Sequence, residues 1–427
     1  MVFLEILLII LSIYNLIYLV SNHKKLHCIY AIIAIFDIVF VLPLLLEMIY
    51  GIPNVPRDIY GNYIKALEDE MTLLVYCSFI AFAQSIFLIE LRKIKRRTRN
   101  IVKVDDVRYY LDLLSGSKYK NMVLIICYSI VGITIFSVLF SPDPTYFLKL
   151  HSVMDIMSQN IHDYKYGVIN PISELMVFAI IIIKLFDNKN GFLRGAIRLV
   201  LIVFYTVLNG KRTYLMIIVG TYFLIDAFRA EKIKKIIPKY AVLFSCVAVY
   251  FVAYAYITEK ISYNSDWYYE INEYIFRSMH MRFAIYAVLH PNEIHILDYA
   301  GQAFLSDVFF FVPRSLWVNK PYPYLDYYMM GLMNITKSQV TYHMPMSYYP
   351  EFVSNFGLLG IPISILFSAS ICRYFDKRNP LCRLLGIALI SLLNIYYYND
   401  LLKIVACVLL LMCIRDKYKI RIGRFRL

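Results

Sequence analysis

The sequence predicts an all-α fold, a polytopic transmembrane bundle of about eleven spans, and three observations carry that prediction. Hydrophobic residues make up 60% of the 427-residue chain and charged residues only 17%. Apolar runs of about 18 residues or more, the length that crosses a roughly 30 Å hydrocarbon core, recur from end to end. The Lys and Arg residues behind the net charge of +14 gather at the ends of those runs, where they act as topology signals. That placement makes the lipid bilayer the partner of the basic residues and argues against nucleic acid. No Gly/Ser- or Pro-rich linker divides the chain, so residues 1–427 read as a single transmembrane domain.

The first apolar run covers residues 2–20 and is followed by Lys24 and Lys25. A cleavable signal peptide carries its charge ahead of the apolar core, so this run reads as an uncleaved first span with the N-terminus outside. Further spans are expected at 28–50, 71–91, 122–140, 171–186, 193–209, 213–228, 240–257, 352–371, 381–397 and 401–414. Residues 92–100, RKIKRRTRN, are the densest basic stretch and must face the cytoplasm. Alternating sides from there places about 30 of the 44 Lys and Arg residues inside, with the C-terminus. The eight cysteines lie in or beside spans with no C-x-x-C pair or Cys/His ligand spacing, so they read as packing residues, with neither a disulfide framework nor a metal site.

On the outer side the basic residues are few. Lys211 and Arg212 occupy the tight turn Asn209-Gly210-Lys211-Arg212, against the topology rule; they either snorkel toward lipid phosphates or bind an anionic substrate. The long extracytoplasmic loop at 258–350 concentrates the remaining candidates. Its stretch WYYEINEYIFRSMHMRFAIYAVLHP is expected to form one amphipathic helix of roughly six turns lying at the interface. Arg277 there pairs with Glu273 at i, i+4 or serves a ligand, and Arg282 lies about 140° around the helix from it. Arg314 follows Pro313, where a short helix is expected to begin, and with Lys320 would form a phosphate cradle. His343 and Glu351 are the two residues suited to proton transfer, with Glu351 favoured because Pro350 before it and the helix after it fix its position; Glu351 equally fits a dipole-stabilising role at a helix start. Gly357 and Gly360 are spaced for close helix contact.

The turn Gly-Lys-Arg, the loop motif Pro-Arg-x-x-Trp-x-x-Lys-Pro and Glu-x-x-x-Asn-Phe-Gly-x-x-Gly entering the next span together resemble the Wzy-type O-antigen and capsule repeat-unit polymerases. The resemblance implies a GT-C-like membrane glycosyltransferase that acts without a metal or other cofactor on undecaprenyl-diphosphate-linked oligosaccharide, with a chain-length regulator protein as a further partner. It maps the family's turn arginine to Arg212, its loop arginines to Arg277 and Arg314, and its glutamate to Glu351; Arg282 and His343 have weaker counterparts. Fixed guanidinium groups suit the charge that develops on a departing diphosphate. The alternatives are an O-antigen ligase, which shares the arginine design, and a lipid-linked oligosaccharide flippase or other transporter.

The topology is directly testable. Asn160→Cys and Ser265→Cys should react with an impermeant thiol reagent added from outside, and Ser117→Cys should not; the reverse pattern refutes the inside-outside assignment.

Overall fold

Apolar runs became helices wherever the structure, a computed structural model, describes them. The described residues are 2–21, 27–96, 111–112, 116, 120–147, 161, 164–186, 192–209, 212–230, 236–257, 267–309, 312, 314, 316–340, 343–344, 346–377, 380–395, 421–422 and 425–426. The span expected at 401–414 lies outside them. The chain forms two compact units, Met1–Ile101 with Ser265–Leu427, and Val102–Asn264. The only strands among the described residues are the two-residue pair Arg421–Ile422 and Phe425–Arg426.

In the first unit α1 (Val2–Ser21) is followed by α2 (Cys28–Phe36), a π-helical turn (Asp37–Val41) and α3 (Leu42–Tyr50), which continue as one span. Pro43 explains the π turn. It has no N–H to offer the Val39 carbonyl four residues back, and its ring crowds that carbonyl. The helix widens: the Leu42 N–H bonds the Asp37 carbonyl, five residues away. The Val39 carbonyl accepts instead from the Arg277 backbone N–H at 2.9 Å, and the Phe40 carbonyl from the Tyr76 hydroxyl at 2.6 Å. Next come α4 (Arg57–Glu68) and the long α5 (Glu70–Arg96).

The second unit holds α6 (Lys120–Leu139), α7 (Asn170–Phe186), α8 (Phe192–Asn209), α9 (Arg212–Arg229) and α10 (Ile237–Ile257). Met176, Ile180, Tyr205, Ile218, Tyr222 and Tyr240 form part of its core. Asp226 ties three of its helices, meeting Lys184 at 2.5 Å, Lys239 at 2.9 Å and the Tyr240 hydroxyl at 2.7 Å. Arg229 donates to the carbonyls of Lys184 and Leu185, two of the acceptors left open at the end of α7.

The first unit resumes with α11 (Trp267–Tyr274), α12 (Ser278–Leu289), α13 (Gln302–Val308), α14 (Tyr324–Met333), α15 (Tyr349–Phe356), α16 (Gly360–Asp376) and α17 (Pro380–Ile395). The single amphipathic helix expected over 267–291 is two helices. The Ile275 and Phe276 N–H groups both reach the Ile271 carbonyl, and the next N–H, of Arg277, leaves the helix for Val39. Nor is α12 an interface helix: every residue from Ser278 to Ala287 is buried, because α4, α5 and α15 pack around it. Gly357, at φ +60°, ends α15, and Gly360 opens α16 so close to the Phe352 backbone that a Cβ there would run into its carbonyl, so the close helix contact expected of this pair is made between α15 and α16.

Four helical segments are long and apolar enough to cross a membrane: Cys28–Tyr50, Glu70–Lys93, Lys120–Leu139 and Tyr349–Asp376. Shorter apolar helices include Leu4–Tyr18, Leu175–Phe186, Ile197–Thr206, Ile218–Ala227 and Ile237–Val247. Large apolar side chains such as Ile10, Ile17, Ile125, Phe136 and Val200 point outward from them, as lipid-facing side chains do. By helix length and hydropathy the chain is a multi-pass membrane protein.

Arg282 on α12 is fully buried and grips Glu47 of α3 through both carboxylate oxygens, at 2.9 and 2.7 Å. Removing one partner of a buried ion pair leaves the other charge uncompensated. Arg282→Ala is therefore expected to cost about 3–5 kcal/mol, read as a lowered melting temperature in detergent, and Glu47→Leu with Arg282→Met should recover much of the loss.

Candidate functional site

The segment after α13 closes on itself through its two cations. Arg314 is exposed; its guanidinium donates to the Lys320 and Pro321 carbonyls at 2.6 and 3.0 Å and lies 4.0 Å from the centre of the Tyr322 ring. Lys320 returns to the Val312 carbonyl at 2.9 Å. No helix begins at Arg314: the described residues there form turns. The stretch before α14 is extended around Pro321 and Pro323, so its carbonyls lack helical partners and the guanidinium takes them. Two of the five guanidinium N–H groups serve these bonds, which leaves donors facing solvent.

Pro323 precedes α14, and Asp326 stands in that helix's first turn, where a carboxylate favours the helix dipole. Its carboxyl is only 7% exposed and accepts from His343 Nε2 at 2.7 Å and Lys337 Nζ at 2.8 Å. Burial pushes this carboxyl's pKa up, but the hydrogen bonds and charges of His343 and Lys337 outweigh it and hold the value below its ordinary 3.8. Lys337 Nζ is also 5.4 Å from the centre of the Tyr322 ring, so Arg314 and Lys337 share one aromatic platform. The platform is fixed from below: the Tyr322 N–H bonds the Tyr327 hydroxyl, which also accepts from Gln302.

The result is a strip containing Arg314, Tyr322, Lys337 and His343, footed on the buried Asp326. The Asp326 carboxylate fixes the imidazole proton on Nε2, so Nδ1 of the neutral ring presents its lone pair outward. His343 is 36% exposed, and the arrangement can take a proton from a ligand hydroxyl while the cations meet its negative groups. Asp326 was not singled out from sequence. The acid three residues past Pro323 was a visible helix-start signal, but nothing in the chain connected it to His343, 17 residues on.

Glu351, in the first turn of α15, is fully buried. It lies near Tyr324, whose hydroxyl is pushed well above its ordinary pKa by burial, with the Glu351 charge adding to the shift. Its helix is anchored by Asn355, which donates to the Glu351 carbonyl at 2.8 Å and accepts from the Ala303 N–H. Of the two proton-transfer residues expected from sequence, His343 meets solvent and Glu351 sits in the interior.

Arg277 and Arg282 are also interior, at 1% and 0% exposure. Arg277 donates to the Ile395 carbonyl at the end of α17 and to its neighbour Phe276, at 2.7 and 2.6 Å. Arg282 holds Glu47 and the Leu67 carbonyl. Between them, His280 Nδ1 meets the hydroxyls of Tyr63 and Tyr328 at 2.6 and 3.0 Å; burial, and the Arg277 charge after it, push its pKa down to about 3, so it stays neutral. Arg212 is the first residue of α9 in the second unit, and Lys211 lies outside the described residues. Among the described residues no group of three or more His, Cys, Asp and Glu side chains is arranged to hold a metal ion.

Asp326 gives a pH test of the strip. Its folded pKa is depressed, so its contribution to stability is complete above 3.8 and is lost as pH falls through the lower folded value. Thermal unfolding from pH about 5 downward should show this acid loss in the wild type, and Asp326→Asn should flatten it. An unchanged acid limb would mean that the carboxylate bonds contribute nothing. Comparison of the chain with protein-family models, with curated proteins and with solved structures finds no match, so the site is read from its own geometry.

Proposed function

We propose that the protein polymerises undecaprenyl-diphosphate-linked oligosaccharide repeat units at the outer face of the cytoplasmic membrane, in a bundle of about eleven spans with the N-terminus outside. The observation that carries this reading is the exposed Arg314–Tyr322–Lys337–His343 strip on Asp326. Cations that meet phosphate, an aromatic face that stacks on sugar and a carboxylate-oriented imidazole are what glycosyl transfer from a lipid diphosphate requires. The sequence motifs that resemble the repeat-unit polymerases support the same conclusion.

The terminal-sugar hydroxyl of a new lipid-linked repeat unit attacks the anomeric carbon of the growing glycan. The bond from that carbon to the diphosphate breaks, the lipid diphosphate leaves with the electron pair, and the hydroxyl proton passes to His343 Nδ1. Arg314 and Lys337 offset the charge that grows on the departing diphosphate, with Lys320 holding the loop that carries Arg314. The turn that carries Lys211 and Arg212 is proposed as an anion-binding element on its sequence motif alone. Glu351 supports the base from the interior by fixing the start of α15, and Arg277 and Arg282 hold α12 to the spans.

Membranes supplied with lipid-linked repeat units should yield a ladder of longer glycans. Transfer to lipid A would indicate a ligase instead, and unchanged glycan moved across the bilayer a flippase. A charge-assisted hydrogen bond is worth roughly 1.5–3 kcal/mol, so Arg314→Ala should lower turnover about ten- to a hundredfold, with partial recovery in Arg314→Lys. His343→Ala should lower turnover more than Glu351→Gln does. Wild-type polymer from Arg314→Ala and His343→Ala at normal protein level would retire the strip as the active site.

A further inference from the structure

Midway through the first unit's helices lies a polar cluster that glycosyl transfer does not use. Asp37 opens the π turn near the middle of the Cys28–Tyr50 span, Gln84 stands near the middle of Glu70–Lys93, and Ser12 and Asn15 occupy the central turns of α1. Asp37 and Ser12 are 4% exposed, Gln84 and Asn15 not at all. Gln84 joins the group: its amide donates to Asp37 Oδ1, and its carbonyl accepts from Asn15 Nδ2. The Ser12 hydroxyl lies beside the same carboxyl.

Two buried acceptors in the cluster lack a donor. Asp37 Oδ2 and Asn15 Oδ1 are both buried acceptors that receive nothing from the described residues. Among the described residues no cation pairs with the carboxylate. Glu47 on α3 has Arg282, Glu90 on α5 has Arg373 and Lys93, Arg277 at the head of α12 donates to Ile395, and Tyr349 of α15 bonds Ser368. Glu5 on α1 is set toward Glu47 and Arg282.

An ionised carboxylate with no counter-charge at mid-membrane is strongly unfavourable, and ionisable groups kept there mark ion or proton sites. One hydrogen on Oδ2 neutralises Asp37 and turns one of the two unpartnered acceptors into a donor. We propose that Asp37, with Gln84, Asn15 and Ser12, forms a proton-binding site within the membrane, the carboxylate taking up one proton to become the neutral acid. The π turn suits the role. Its widened backbone lets the Asp37 segment shift without breaking the span when the proton leaves, and such turns recur at functional positions. The site is independent of the glycan strip, and it gives the first unit a response to protons that transfer from an activated donor does not need.

Difference infrared spectroscopy on the purified protein in lipid nanodiscs tests this. At neutral pH a protonated-carboxyl band that shifts in heavy water should contain a component that is lost in Asp37→Asn. Gln84→Leu, which removes a donor that favours the ionised form, should move that component's titration to higher pH by about one unit. Should Asp37→Asn fail to fold, the Gln84→Leu shift assigns the band. The proposal is overturned if no component depends on Asp37, or if the titration is unmoved in Gln84→Leu. It is equally overturned if the band is absent and sodium, but not choline, raises the melting temperature, which would make the cluster a metal-ion site.

Discussion

Every carbonyl and charge inside a membrane protein must find its partner within the protein, and in the first unit the start of α12 meets that constraint for three other helices. The Arg277 N–H satisfies the carbonyl that Pro43 leaves open in the Cys28–Tyr50 span, and its guanidinium covers the Ile395 carbonyl where α17 ends. One turn further on, Arg282 neutralises Glu47. The segment between Trp267 and Leu289 is therefore a buried bracket between spans. Its arginines are fixed by protein acceptors, which is why the proposed chemistry falls on the exposed cations further along the chain.

The helices were legible in the sequence as apolar runs with basic ends: helices stand at ten of the eleven expected positions, four helical segments are long and apolar enough to cross a membrane, and the eleventh position lies outside the described residues. The 267–291 stretch was misread for a physical reason. Its alternation of aromatic and charged residues is what an interfacial helix shows, but the same pattern arises when charges are buried against partners far away in sequence. Arg282 and Glu47 are 235 residues apart, and no local spacing reveals such a pair. Gly357 and Gly360 were read better: their spacing was expected to serve close helix contact, and Gly360 packs on the Phe352 backbone while the positive φ at Gly357 turns the chain between α15 and α16.

The candidate site was half legible. Arg314, Lys320 and His343 stood out as rare cations in the loop expected outside; the first two close the segment around Tyr322, and His343 bonds Asp326. What stayed hidden was the foot of the strip. Asp326 looks like an ordinary helix-start acid until the chain returns at Lys337 and His343, and that return depends on how α14 is capped by the turn at Asn334, which adopts the left-handed conformation. Surface access then separates His343 from Glu351. A buried carboxyl can position a helix, but a group that exchanges protons with a sugar hydroxyl has to meet it.

Asp37 shows the limit of reading charge by composition. One Asp in an apolar run leaves the span's hydropathy high, at 2.7, so the run passes as nearly charge-free. Its significance comes only from its neighbours: the Gln84 amide on α5 donates to it, Asn15 on α1 joins through Gln84, and the turn it opens is widened by a proline six residues on. Polar side chains placed so on three helices are costly to keep in hydrocarbon unless they bind something. Glu47, in the same span, has a fixed cation and serves packing, whereas Asp37 has only neutral partners, and the difference between structural and protonatable acids in this unit rests on that contrast.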